Sequence, residues 1–310
     1  MASYKSRLIR LLSGTRTVVA GIPAYDTATE MLVKDLTTRR IEGDYQAQDF
    51  VTGFEGAQGD RLFNESMGLD FMIDAALPDA GSAPLYGELL KATGLVETIV
   101  ADTSASYALQ PEGSAKPEIA LQYLDAQSMQ VTEKVRGGLT FTAETRRPPM
   151  FGFKFMGELF DGQPTVAATP DFSIWPDAPE CSPRNMSAFT VDGTELCVQS
   201  FTFTDGRTPR RGRFMNCDET DITERNVTGR MVVEMPPAAT IDLLALARSG
   251  AKQPLVWQLG TGAGNVLRVA APAVQLKYAG EQNIDGTIGL ALDLVFCHDQ
   301  GDDEFAITFS

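Results

Sequence analysis

The feature that most constrains this chain is an order of elements that occurs twice. Pro84–Thr93 (PLYGELLKAT) reads as a helix. Pro at the first helical position gives up no needed N–H, Leu85, Leu89 and Leu90 make an apolar stripe, and Gly94 accepts the left-handed cap. Ile241–Ser249 (IDLLALARS) repeats the pattern, with Thr240 as the expected N-cap, Asp242 in the first turn and Gly250 as the stop. A strand pattern precedes each helix (Leu69–Ala76; Gly229–Met235), and a short strand follows each (Val96–Ala101; Leu255–Leu259). Then comes a long hairpin. The first is Gly138–Ala143 and Met150–Leu159 about a turn near Arg146–Pro149; the second is Ala273–Tyr278 and Thr287–Phe296 about a turn at Gly280–Gly286. Upstream, Met31–Leu36 corresponds in position to Leu196–Phe201.

Between the copies, Asp161–Asn185 holds Pro164, Pro170, Pro176, Pro179 and Pro183 and reads as a linker or surface excursion. Strand runs such as Val198–Phe203 and Leu290–Phe296 dominate elsewhere, and Asp192-Gly193, Asp205-Gly206 and Asp285-Gly286 supply hairpin turns. The expected fold is therefore mainly β: two tandem β-sandwich or half-barrel units, each with one short helix. The first unit spans 1–160 with an N-terminal arm, the linker 161–188, and the second unit 189–310.

Composition excludes several functions. A net charge of −15 argues against uniform nucleic-acid binding, which needs phosphate-neutralising cationic surface, but it suits contact with DNA that must slide. The cysteines Cys181, Cys197, Cys217 and Cys297 form no C-x-x-C, and the single histidine, His298, merely adjoins Cys297, so neither a metal site nor a cofactor is expected. Gly260–Asn265 (GTGAGN) lacks the Lys-Ser/Thr of a phosphate loop and leads into a strand pattern instead of a helix. There is no G-x-S-x-G, and the 41 acids single out no catalytic pair, so a β-rich hydrolase is disfavoured and no enzyme is expected. Asn185-Met-Ser and Asn226-Val-Thr match glycosylation acceptors but come with no secretory signal. The basic start (Lys5, Arg7, Arg10, Arg16) has its apolar run broken by Arg10, so no signal peptide is read, and no apolar run is long enough for a membrane span.

Three segments carry a family resemblance. Gly81–Ile99 (GSAPLYGELLKATGLVETI), Met129–Leu159 (MQVTEKVRGGLTFTAETRRPPMFGFKFMGEL) and Gly301–Ser310 (GDDEFAITFS) resemble the small-residue entry with helix and strand, the long hairpin and the closing strand of the major tail tube proteins of siphophage-like bacteriophages and prophages. The likeness runs from about Leu8 to Ser310. It implies a β-sandwich whose copies form rings, one sheet of each joining a continuous barrel around a lumen. Rings would stack into a virion tail tube around a tape-measure protein, with tail tip and tail terminator proteins at the ends and DNA present only transiently. It favours a flexible, sheathless tail, built in the host cytoplasm. With two tube folds per chain, three chains would make a pseudo-hexameric ring, six being the alternative.

Under that resemblance two regions are candidate inter-ring contacts. Glu42–Arg61 offers Tyr45, Phe50 and Phe54 as anchors, and Arg207–Phe214 offers Arg207, Arg210, Arg211 and Arg213 to a neighbour's carboxylates. A carboxylate-lined lumen would repel DNA phosphates; Asp70, Asp74 and Glu234 are conceivable members, though a one-residue slip of register would reverse each assignment. The alternative is a β-sandwich binding module for a receptor or carbohydrate, which predicts a monomer with an aromatic pocket; Phe172 and Trp175 are read instead as pins for the Pro-rich excursion.

Overall fold

The computed structural model describes residues 10–19, 22–25, 29–111, 117, 119–124, 128–164, 171–213, 215, 216, 218–222, 224–262, 264–284 and 286–310. Lys5, Arg7, Pro170, Phe214, Cys217 and Asp285, named above, lie outside them. In chain order the first half forms β1 (Arg10–Val19), β2 (Ile22–Tyr25), β3 (Thr29–Met31), β4 (Lys34–Ala47), β5 (Asp60–Asp74), α1 (Gly87–Ala92), β6 (Leu95–Val100), β7 (Ser104–Leu109), β8 (Ile119–Leu124), β9 (Ser128–Glu144) and β10 (Met150–Pro164). The second half forms β11 (Met186–Val191), β12 (Thr194–Glu195), β13 (Val198–Thr204), β14 (Pro209–Arg213), β15 (Asp218–Ile222), β16 (Thr228–Glu234), α2 (Leu243–Ser249), β17 (Lys252–Leu259), β18 (Leu267–Ile284), β19 (Thr287–Cys297) and β20 (Ala306–Phe309). The protein is mainly β, as expected, with antiparallel pairing throughout.

Eight of these strands make one continuous sheet in the order β4·β5·β10·β9·β13·β16·β19·β18. Its first four and last four strands follow the same scheme: a leading strand, the strand before the helix, then the two arms of the long hairpin in reverse order. The join between them is β9 against β13, with Phe141 opposite Phe203 and Thr142 opposite Thr202. Alternation places the strands' faces. Phe151, Phe153 and Phe155 of β10 are buried, whereas Gly152 and Lys154 between them point the other way; Leu139, Phe141 and Ala143 of β9 do the same around Thr140 and Thr142.

The buried face packs on a second layer, laddered as β6·β7·β20·β18·β17·β11·β12, in which β18 contributes its first part only. Near Ala273–Gln275, β18 leaves that layer and its later part pairs with β19 in the eight-stranded sheet. The start of β9 likewise pairs with β8, which continues to β1 and β3. One hydrophobic cluster runs between the layers and across both halves of the chain. Phe141 is its hub, with its ring centroid 5.2 Å from Phe151, 5.5 Å from Phe203 and 5.0 Å from Trp257 of β17.

Several local expectations shift. The α1 helix begins at Gly87, the preceding Pro84 closing a turn by accepting from the Gly87 N–H, and Gly94 has the left-handed φ of 84° foreseen for it. The N-cap of α2 is Asp242, whose carboxylate accepts from the Ala245 N–H at 2.8 Å; Thr240 instead belongs to a turn closed on Pro237. The turn expected at Gly280–Gly286 is mostly strand, because β18 runs on to Ile284. Asp192-Gly193 is a hairpin turn with both φ values positive, but Asp205-Gly206 leads out of the sheet instead of back along it. The first four residues of the 161–185 stretch extend β10. Further on, that stretch is tied back onto the first half: the Trp175 indole N–H donates to the Glu30 carbonyl at 2.7 Å, and its ring stacks 6.3 Å from Tyr86.

Candidate assembly surfaces

Four surface features of the described residues bear on assembly. The first is a pair of free sheet edges. Among the described residues β4 is laddered only to β5, and Leu276–Ile284 of β18 only to β19. Both edges carry exposed apolar side chains, Ile41 and Tyr45 on β4 and Tyr278 on β18. An unpaired strand edge is a row of backbone donors and acceptors, which a protein kept monomeric covers or blunts.

The second feature is the β4–β5 hairpin. Of Glu42–Arg61, residues 48–59 are loop and the other eight residues belong to the hairpin's two arms. The loop is closed by a Gln48 N–H to Gly59 carbonyl bond of 3.2 Å and by Gln58, whose amide both accepts from the Phe50 N–H and donates to its carbonyl. Gly53, Gly56 and Gly59 all take positive φ, the backbone freedom that this tip requires. Held this way, Phe50 is 67% exposed and Phe54 87%, while Tyr45 on the arm is 69% exposed.

The third feature is the arginine-rich segment, and here the structure divides the candidates. Arg207 turns inward: its guanidinium donates to the Thr93 carbonyl at the end of α1, and burial lowers its pKa. Its N–H donates to Asp205 at 3.1 Å, a carboxyl that burial pushes up to about 6. Arg211 is buried and lies 3.4 Å from the Glu158 carboxylate, docking the β14–β15 hairpin on the sheet. Arg210 is exposed, and the side chain of Arg213 lies outside the described residues. Nothing in the local sequence marks Arg207 as an internal clamp, because its partner lies 114 residues earlier.

The remaining surface is the open face of the eight-stranded sheet. Asp70 and Asp74 lie on it, each bonded to a cation on β4: Arg39 at 2.5 Å and Lys34 at 2.6 Å. The bond to Asp70 raises the Arg39 pKa further. Glu234 is exposed at the end of β16. Among the described residues no cluster of His, Cys, Asp and Glu could hold a metal ion, and no helix is long and apolar enough to cross a membrane.

Fold and surface together define a mainly antiparallel β protein whose principal open features are two strand edges, an apolar hairpin tip and a polar sheet face. The chain belongs to the phage tail tube proteins: the model of that family matches residues 33–293. Among curated proteins none matches it. Membership makes the chain a structural component of a virion tail and implies self-association into a tube; it suggests a non-enzymatic role.

Proposed function

We propose that three copies of the chain close into a ring, each contributing two tube-fold units, 1–160 and 189–310, joined across 161–188. The observation that carries this is the internal join. Within one chain, the hairpin strand that ends the first four-stranded set (β9) pairs with the strand that opens the second (β13). The strands in the same two places at the outer ends are β18 and β4, and among the described residues these are the free edges of the eight-stranded sheet. Strand direction alternates across all eight, so β18 of one copy meets β4 of the next antiparallel and the ladder closes with no edge left over.

Three copies of eight strands, at a spacing of ~4.8 Å, give a wall of about 115 Å circumference before any tilt. That exceeds the 16–18-stranded barrels that already hold an aqueous channel, which suits passage of a tape-measure protein and then of DNA. Stacking of rings uses the β4–β5 tip, with Tyr45, Phe50 and Phe54 as anchors and Arg210 as a charged contact. Tail tip and terminator proteins cap the ends of a tube assembled in the host cytoplasm. Cryo-electron microscopy of assembled tubes tests the stoichiometry: three chains and twenty-four wall strands per ring are expected, and six chains per ring overturn it.

A further inference from the structure

With the open face of the eight-stranded sheet as the channel wall of the proposed ring, we propose that this wall is kept non-adhesive by threonine hydroxyls and paired charges instead of by surplus acid. This rests on the ring reading above. At the centre of the face, astride the join of the two halves, Thr140, Thr204 and Thr228 stand side by side on β9, β13 and β16, and Thr142 faces Thr202 in the next row. These side chains are short and β-branched, with little rotamer freedom to reach out and grip a passing chain.

Charges flank the threonines, and they are matched. On the first half the pairs are Lys34–Asp74 and Arg39–Asp70, with Glu42 also 2.6 Å from Arg39. On the second half Arg230 lies 3.6 Å from Asp293, and at the rim of the first half Glu144 lies 2.9 Å from Arg147. Two further cations sit opposite acids in the ladder, Lys154 across from Asp70 and Lys277 across from Asp293. With exposed Glu234 at the end of β16, the named side chains are six cations and six acids, so the net charge of −15 is carried by other surfaces of the chain.

Ring geometry assigns this face to the inside. Its opposite face is covered by the second strand layer and both helices. In a closed two-layer wall the inner circumference is the shorter, so this face, covered among the described residues only towards Glu158 by the β14–β15 hairpin, fits inside and the bulkier layer outside. A wall of balanced charge also suits two unlike cargoes. Free cations would hold a polyanion through phosphate neutralisation and counterion release, while a strongly acidic wall would hold basic stretches of a polypeptide. Ion-paired side chains and hydroxyls favour neither.

Two measurements on assembled tubes test this. Thr202→Cys and, separately, Thr140→Cys should react with a small maleimide but not with a bead-linked one in tubes, and with both reagents in the unassembled chain; exposed Cys197 gives the background. Tubes that form but whose introduced thiol at either position reacts freely with beads overturn the wall assignment, whereas failure to form tubes at all removes the ring reading beneath it. For the charge argument, a short fluorescent oligonucleotide is co-sedimented with tubes at about 50 mM salt. Parent tubes should leave it in solution. Tubes of the Thr142→Lys/Thr202→Lys/Thr204→Lys variant should pellet about tenfold more, and lose it at about 200 mM salt. Retention by parent tubes, or no gain in the variant, overturns the non-adhesive wall.

Discussion

Asp205 shows how much a single side chain can depend on contacts that sequence does not reveal. It sits where β13 leaves the sheet, 1% exposed, its own N–H donating to the Leu139 carbonyl and its carboxylate accepting from the Arg207 N–H. Burial moves its pKa from 3.8 to about 6. The folded chain thus holds a proton that the unfolded chain has lost over that interval, so this group's stabilising contribution is full below the lower value and falls as pH rises towards 6, by up to roughly 3 kcal/mol. Asp205→Asn keeps an acceptor for the Arg207 N–H and removes the titration. Urea unfolding at about pH 4 and about pH 7 should then show the variant gaining on the parent as pH rises; a constant difference across that range refutes the buried titration. From sequence, Asp205-Gly206 looked like a hairpin turn and Arg207 like a surface cation. Both readings were local, and the decisive partners, Leu139 and Thr93, come from distant strands and a helix end.

At the scale of elements, strands with one buried and one open face were legible because burial writes a period of two into the sequence: Phe151, Phe153 and Phe155 alternate with Gly152 and Lys154. The later part of β18 carries no such mark. Beyond Leu276 its neighbours Tyr278, Glu281 and Gln282 are exposed regardless of which side they point to, and Gly280 looks like a turn residue, so the run reads as a loop. A free edge is hard to see in a single chain for this reason: its burial comes from a partner. The internal repeat nevertheless sets a register for it. Asp74 and Glu234 end β5 and β16; they stand opposite Met150 and Gly289, which stand opposite Thr142 and Gln282. Four residues before those ends, Asp70 and Arg230 face Thr37 and Thr202. Since Thr142 pairs with Thr202 inside the chain, Gln282 of one copy is expected opposite Thr37 of the next. Thr37→Cys combined with Gln282→Cys should form intermolecular disulfides in tubes, above the background of the parent's own cysteines, because opposed strand positions bring Cβ atoms within about 5.5 Å. Cross-linking that instead peaks with a cysteine placed at Gly280 or Ile284 would overturn this register.

At the scale of the whole molecule, the doubled order of strand, helix, strand and hairpin was readable because each copy has to bury its own apolar face. What sequence could not supply was that the copies share one sheet and one core, since the β9–β13 pairing and the Phe141 contacts with Phe203 and Trp257 join residues far apart in the chain. The same separation of local from non-local information applies between molecules. The proposed tube needs two kinds of contact, lateral closure through strand edges and axial stacking through something that projects from the ring. The projecting candidate is the β4–β5 tip, where the Gln58 side-chain amide clamps the Phe50 backbone and the Phe50 and Phe54 rings stay exposed. Exposing two phenyl rings is costly for a chain that stays alone, and burying each would contribute about 2 kcal/mol per copy. Phe50→Ser/Phe54→Ser should therefore leave the fold and the lateral edges intact while weakening stacking by up to roughly 12 kcal/mol per ring, as three copies act together. Negative-stain microscopy of the variant should show separate rings or short stacks at concentrations where the parent makes long tubes. Long tubes of parental width from the double variant would rule out the tip as the axial contact, and loss of rings as well would show that the tip acts in lateral closure.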